Sequence, residues 1–345
     1  MTATAHVRRP PTGPALPGPR GPLSRAVLAA LARPGGRADG TERGTLPPLA
    51  DVRAADPYGA DLQLALYALY ELHYRGFTGV PDAREWDPEL LRVRGALESR
   101  FLEALRADTP PSADVDQVFA DLLTEPADHS GSVAYHLEHS GERWQMREYA
   151  ALRSLYHLKE ADPHAWVIPR LHGRPKAGMV AIEYDEFGAG RADEVHSQLF
   201  ADLLSDLHLD TAYGRYLEVA GAETLATVNV MTLFGLHREL RGALVGHFAC
   251  VEVTSSPASR RLTAAMRRLN AGAAAERYYA EHVEADAVHE QVVRREVVDG
   301  LLAQEPQLAA DVVLGVTATE FLEDRLSRHL LTAWRAGHTA LRQPL

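Results

Sequence analysis

The sequence is poor in three features, each of which would point to a particular class of protein. Its single cysteine, Cys250, excludes an internal disulfide or a thiolate cluster, so a bound metal would need nitrogen and oxygen ligands. The 36 lysines and arginines against 47 acidic residues give a net charge of −11, which argues against a nucleic-acid binder. No apolar run approaches the roughly 20 residues of a membrane helix, and the N-terminus lacks the apolar core of a signal peptide. We therefore expect a cytoplasmic protein that acts on a small molecule.

Strand-like alternation is also nearly absent. From about residue 57 onward, apolar residues recur at the spacing of amphipathic helices, which predicts an all-α fold. Asp87 and Pro88 suit the N-cap and the first position of an early helix. A long helix over about 222–253 is expected to end before Ser255-Ser256-Pro257. We expect the other main helices over about 142–160, 184–206, 258–269, 274–302 and 307–337.

The N-terminal segment has a different composition from the rest of the chain. Residues 1–56 are rich in proline, glycine and arginine, so this segment buries too little apolar surface to offset the entropy of ordering. We expect a mostly disordered arm followed by one helical domain over 57–345. Within this domain we expect accessory helices over 57–128 and a core bundle over 132–345.

Metal-ligand residue types cluster most clearly at His282, Asp286 and His289. On a helix with 100° per residue, these side chains fall within an arc of about 60°. Imidazole and carboxylate at such offsets are typical of metal sites in helical bundles. The alternative is a solvated, charged helix face, because acidic and basic residues also occupy this segment. Spacing alone leaves both interpretations open.

A second group of candidate ligands lies at Glu186, Asp193 and His196. These residues would share one side of a helix if the segment were helical throughout. Gly188 and Gly190 favour the alternative of a glycine-rich turn between them.

Three further residues are candidates for substrate binding. Arg241 could hold a substrate carboxylate with two hydrogen bonds, while His247 and Glu252 could line a pocket. Surface ion pairing of Arg241 and ordinary buried hydrogen bonds of the other two are the competing interpretations.

Four segments in sequence order carry a family resemblance. They are Tyr156-His-Leu-Lys-Glu-Ala-Asp-Pro-His164, Asp185-Glu-Phe-Gly-Ala-Gly190 with His196, Phe234-Gly-Leu-His-Arg-Glu-Leu-Arg-Gly242, and His282-Val-Glu-Ala-Asp-Ala-Val-His289. Over about 57–345 the chain resembles the heme-oxygenase-like diiron oxidases, often described as iron-containing redox enzymes. The resemblance implies a heme-oxygenase-like bundle with extra N-terminal helices, and a ligand set spread over three core helices. It places Glu160 on the first, Glu186 and His196 on the second, and His282, Asp286 and His289 on the third. Asp193 falls where some members carry an extra glutamate.

The resemblance also implies an activity. Two Fe(II) ions would activate O2 as co-substrate, and an external reductant would restore the ferrous state. The expected reaction is oxidation of a small metabolite, an amino acid or derivative, by desaturation, cyclisation, N-oxygenation or C–C cleavage in specialised biosynthesis. The expected partners are this substrate, an electron donor and a second copy of the chain in a homodimer, without nucleic acid or membrane.

Several alternatives remain at this stage. They are a fatty-acid oxidase of the same family, a heme oxygenase, a thiaminase-like hydrolase that would need a nucleophilic cysteine, and a non-catalytic metal-sensing or storage bundle. A heme site needs one axial histidine and has no use for clustered carboxylates. Conversion of a substrate with O2 consumption would separate an oxidase from a storage bundle.

Overall fold

The computed structural model describes residues 13–33, 46–124 and 126–345. Across these ranges the chain forms helices and no β-strand, which confirms the predicted all-α fold. The α-helices are α1 Pro22–Leu31, α2 Leu49–Ala54, α3 Ala60–Glu71, α4 Pro88–Asp108, α5 Val115–Leu122, α6 Val133–His139, α7 Arg143–His157, α8 Asp162–Ala165, α9 Gly173–Glu186, α10 His196–Asp206, α11 Ala222–Leu236, α12 Arg241–Arg268, α13 Ala273–Val292, α14 Asp299–Gln304 and α15 Ala309–Arg335. Short 3₁₀ turns lie at Asp82–Trp86, Ile168–Arg170, Gly188–Gly190, Arg238–Leu240 and Pro306–Leu308, and a π-helical segment, Val293–Val298, joins α13 to α14.

Helix α12 lies at the centre of the packing. It contacts α13 along one side and α15 along another, and it also contacts α6. Buried apolar side chains from nearly all helices form one continuous core. Among the described helices we find none that combines the length and apolar character of a membrane-spanning segment.

The region around α11 and α12 differs from the prediction in two ways. The expected 222–253 helix is interrupted at His237, where the backbone is extended, because Arg170 donates hydrogen bonds to the carbonyls of Gly235 and Leu236. Conversely, α12 continues through Pro257, so the expected separate helix over 258–269 is its C-terminal half. Proline inside a helix costs about 3 kcal/mol, and the packing of α12 on α13 and α15 offsets that cost.

The predicted helix over 184–206 is also interrupted. Gly188 and Gly190 adopt left-handed backbone angles, with φ of 71° and 85°. A Cβ atom at Gly188 would lie 2.6 Å from the backbone nitrogen of Val195, so only glycine fits this close approach. The chain therefore turns between α9 and α10 instead of continuing as one helix.

The predicted start of α4 is confirmed, and the predicted end of α7 is corrected. Asp87 caps α4 by accepting a hydrogen bond from the backbone nitrogen of Glu89 at 3.0 Å, and Pro88 is the first helical residue, as predicted. The helix expected over 142–160 ends at His157, so Glu160 lies in the turn that follows α7.

Part of the N-terminal segment is ordered, contrary to the predicted arm. Helix α1 buries Leu23, Val27, Leu28 and Leu31 and packs against α3. Asp61 of α3 accepts hydrogen bonds from the backbone nitrogens of Leu23 at 2.9 Å and Ser24 at 2.7 Å. The Asp61 side chain thus pairs with backbone N–H groups at the start of α1, for which the proline-rich and glycine-rich segment around them provides no acceptor. The predicted disorder of 1–12 and 34–45 falls outside the described residues.

Candidate metal centre

Four buried side chains converge to form a first group of metal-ligand atoms. They come from Glu160, Glu186, His196 and His282, and one ligand atom from each lies within 4.8 Å of the others. Glu160 follows α7, Glu186 is the last residue of α9, His196 begins α10, and His282 lies in α13. The turn through Gly188 brings the Oε2 atom of Glu186 to 2.7 Å from Nδ1 of His196.

A second group shares one residue with the first. It consists of Glu186, Asp286 and His289, again with ligand atoms within 4.8 Å of one another. Nδ1 of His289 lies 3.6 Å from Oε1 of Glu186 and 3.6 Å from Oδ1 of Asp286. The two oxygens of Glu186 thus face different histidines, one in each group. The six principal residues singled out in the sequence all lie in these two groups.

The orientation of the histidines tests whether this arrangement fits metal ions. Nδ1 of His282 lies 2.7 Å from the carbonyl oxygen of Tyr278, and because a carbonyl only accepts, Nδ1 carries the proton. Nε2 of His282 is therefore the nitrogen left to bind an ion, and it is buried without a hydrogen-bond partner. Nδ1 of His196 is also buried without one, since it is not oriented to bond the nearby Glu186. Orphaned imidazole nitrogens beside carboxylates suit divalent first-row metal ions.

The electrostatics of the two groups depend on each other. Burial alone lowers the pKa of His282, but Glu160 and then Asp286 and Glu186 outweigh burial and raise it to about 10. Burial likewise lowers the pKa of His289, while Asp286, Glu252 and Glu186 raise it to about 11. Without a cation, protonated imidazoles must therefore balance the buried carboxylates.

Other side chains hold the carboxylates in place. Tyr278 donates from its hydroxyl to Oε2 of Glu160 at 2.8 Å, and Nδ1 of His157 lies 2.8 Å from Oε1. Ser255 donates a short hydrogen bond to Oδ2 of Asp286. Such contacts orient metal ligands. Our interpretation of the sequence missed His157 and Ser255, although the spacing of three residues between His157 and Glu160 is a usable signal.

Asp193 and Arg241 do not take the places expected for them. Asp193 is exposed in the turn between α9 and α10 and belongs to neither ligand group. The turn itself causes this, since a continuous helix would have placed Asp193 beside Glu186. Arg241 pairs with Glu305, its Nε lying 3.2 Å from Oε1, and does not line the internal cavity. The structure therefore shows the ion pairing that the sequence left as the competing interpretation for Arg241.

A cavity of about 390 Å³ opens beside the two ligand groups. Glu160, Glu186, His282 and Asp286 form part of its wall, so a molecule in the cavity would contact these candidate ligands. The remaining wall is largely apolar, with Val230, Met231, Phe248, Val251, Leu262 and Leu322. His247 and Glu252, the candidates for substrate binding, also line the cavity, and Glu252 additionally lies 3.2 Å from Nδ1 of His289.

Cys250 lines the same cavity but does not suit nucleophilic chemistry. Its side chain is buried, and burial raises the pKa of the thiol well above its ordinary value. The thiol therefore stays protonated at neutral pH, and the thiolate is the nucleophilic form. This argues against the thiaminase-like alternative.

Comparison with known proteins identifies the family to which the chain belongs. The model of the iron-containing redox enzyme family matches residues 147–324, just over half of the chain and the part that contains both groups. A nitrosourea synthase from Streptomyces achromogenes subsp. streptozoticus is 24% identical over 160 residues, which is 46% of this chain. The match spans only 34% of that relative's length. The chain belongs to the family of iron-containing redox enzymes and is an oxidoreductase, as the resemblance indicated.

Proposed function

We propose that this protein is an O2-dependent, non-heme diiron oxidase or oxygenase that acts on a small metabolite in specialised biosynthesis. The observation that carries the proposal is the sharing of Glu186 by two converging groups of ligand atoms. A single ion would need only one group, whereas a carboxylate with one oxygen toward each group can hold two ions side by side. The similarity to a protein named nitrosourea synthase supports the biosynthetic setting.

The chemistry supplied by the metal would be the reduction of O2 and oxidation of the substrate at two ferrous ions, with an external reductant restoring them. Glu160, Glu186, His196 and His282 would hold one ion, and Glu186, Asp286 and His289 the other. Tyr278 and Ser255 keep the carboxylates Glu160 and Asp286 in position. The apolar wall of the cavity would exclude water from the bound substrate.

His247 supports an amino acid or amino-acid derivative as the substrate. Oγ1 of Thr319 donates to the carbonyl oxygen of Gly315 at 2.7 Å and lies 2.7 Å from Nδ1 of His247. With the hydroxyl proton so engaged, the Nδ1–H of His247 must donate to Thr319. Nε2 is then an acceptor, and it is buried without a partner. Burial lowers the pKa of His247 to about 4, so the ring is neutral and suits an N–H group of a substrate.

The test is an anaerobic titration with ferrous iron followed by exposure to O2 under stopped-flow absorbance, with a panel of amino acids and fatty acids. We expect two irons per chain, O2 consumption, and a transient absorbance that one amino-acid-like compound accelerates. His289→Ala should lose one iron and the transient, whereas the exposed His338→Ala should match the wild type.

Two outcomes would contradict the proposal in different ways. Acceleration by a fatty acid alone would favour the fatty-acid oxidase. Reversible uptake of iron without O2 consumption or conversion of any compound would identify a metal-sensing or storage bundle.

A further inference from the structure

We propose that Glu252 of α12 is an additional protein ligand of the second ion. This inference rests on the proposed function, because it requires two ions. It concerns a residue for which the sequence indicated contact with substrate. It also supplies a further carboxylate at a centre from which Asp193 is excluded by its exposed position.

The distances around His289 place Glu252 in the second group. Nδ1 of His289 lies 3.2 Å from Oε2 of Glu252, closer than the 3.6 Å that separates it from Glu186 and from Asp286. Two ligand atoms each about 2.1 Å from one first-row ion are about 3.0 Å apart at a right angle and about 3.4 Å apart at a tetrahedral angle. The observed separation of 3.2 Å falls between these values.

The direction of the contact leads to the same conclusion. The contact between Nδ1 of His289 and Oε2 of Glu252 has the geometry of a hydrogen bond, so the oxygen lies in front of the ring nitrogen. An ion bound to Nδ1 must occupy that region, because the lone pair of the deprotonated nitrogen lies along the direction of the N–H bond. The ion would therefore lie next to the carboxylate of Glu252. The carboxylate is not among the atoms that already converge within 4.8 Å, so we expect its side chain to turn slightly onto the ion.

Charge balance also favours Glu252 as a ligand. Glu252 is only 5% exposed, and a buried carboxylate needs a cation or hydrogen-bond donors. Glu160, Glu186, Asp286 and Glu252 together supply four negative charges, which match the four positive charges of two ferrous ions. Glu252 is also anchored on α12, which packs along α13, so both helices would hold the second ion.

The experiment is an anaerobic ferrous titration of the full chain by equilibrium dialysis, with iron counted per chain. We expect two ions for the wild type and, in Glu252→Gln, at least about tenfold weaker binding of the second ion with the first unchanged. Glu183→Gln is the matched control, since Glu183 is 3% exposed and lies one turn before Glu186 but belongs to neither group. Asp193→Asn should also bind as the wild type.

Binding of both ions by Glu252→Gln with wild-type affinity would overturn the assignment while leaving the diiron proposal intact. Fewer than two ions in the wild type would overturn both. Should the variant fail to fold, a crystal structure of the wild type with Mn²⁺ decides the question. An oxygen of Glu252 within about 2.3 Å of an ion supports the assignment, and a separation beyond bonding distance overturns it.

Discussion

At the scale of single residues, Glu186 differs from every other candidate ligand because it belongs to both groups. Glu186→Gln removes the charge that would hold two ions together, so we expect it to lose both, whereas His289→Ala should lose only one. Iron per chain after desalting, measured with Glu183→Gln as the buried control, checks this prediction. Retention of one tightly bound ion by Glu186→Gln would show that the carboxylate does not bridge.

The protonation of the histidines leads to a second prediction at this scale. The pKa values of His282 and His289 are raised to about 10 and about 11, so both rings carry protons at pH 7 without metal. Iron requires the deprotonated nitrogen, so binding should release about two protons per chain from these rings. Apparent iron affinity should therefore rise with pH until pH reaches about 10, the pKa of His282.

The raised pKa values of His282 and His289 also determine how the stability of the metal-free protein changes with pH. Each folded-state pKa lies above the unfolded value, so the imidazolium contributions are fully present below about pH 6.5 and disappear as pH rises through about 10 for His282 and about 11 for His289. The number of protons released when iron binds is measured by calorimetric titration of the metal-free protein with ferrous iron, in buffers of different ionisation enthalpy. Zero release at pH 7 would mean that the rings are neutral before the metal binds.

At the scale of secondary-structure elements, α13 has an unusual buried face. Between Ala280 and Val292 its buried residues are His282, Asp286 and His289, with no apolar side chain among them. Packing of this half depends on balancing buried charge instead of on apolar burial. We expect its amide hydrogens to exchange faster without ferrous iron than with it, while those of α15 change little. Equal protection of 280–292 in both states, by hydrogen exchange with mass spectrometry, would refute this.

At the scale of the whole molecule, the docking of α1 on α3 extends the core toward the N-terminus. Asp61 accepts from the backbone nitrogens of Leu23 and Ser24 and from the Ser24 hydroxyl, so Asp61→Ala leaves several donors unpaired. We expect a loss of about 2 kcal/mol in the free energy of unfolding, as for a lost helix cap. Urea unfolding measures it, with the exposed Arg53→Ala as control. An unchanged midpoint would indicate that α1 contributes nothing to stability.

The sequence by itself determined the helical class and the most local part of the site. The offsets of His282, Asp286 and His289 place them on one face of any α-helix, because that depends only on the rise and twist of the backbone. Glu160 came from the family resemblance and not from local spacing, whereas Glu186 and His196 were already candidates from helical spacing, with a glycine-rich turn as the alternative. The sequence offered the glycine-rich turn as an alternative to a continuous helix, but it did not predict that Asp193 would be exposed.

Only the tertiary structure decided which residues meet across the bundle. Glu252 reaches His289 from 37 positions away, and Arg241 is occupied by Glu305. The continuation of α12 through Pro257 and the docking of α1 likewise depend on neighbouring helices. Such contacts arise from packing and from the need to pair buried charge and backbone donors, which act between segments distant in sequence. Local periodicity contains no information about them, since it describes each helix alone.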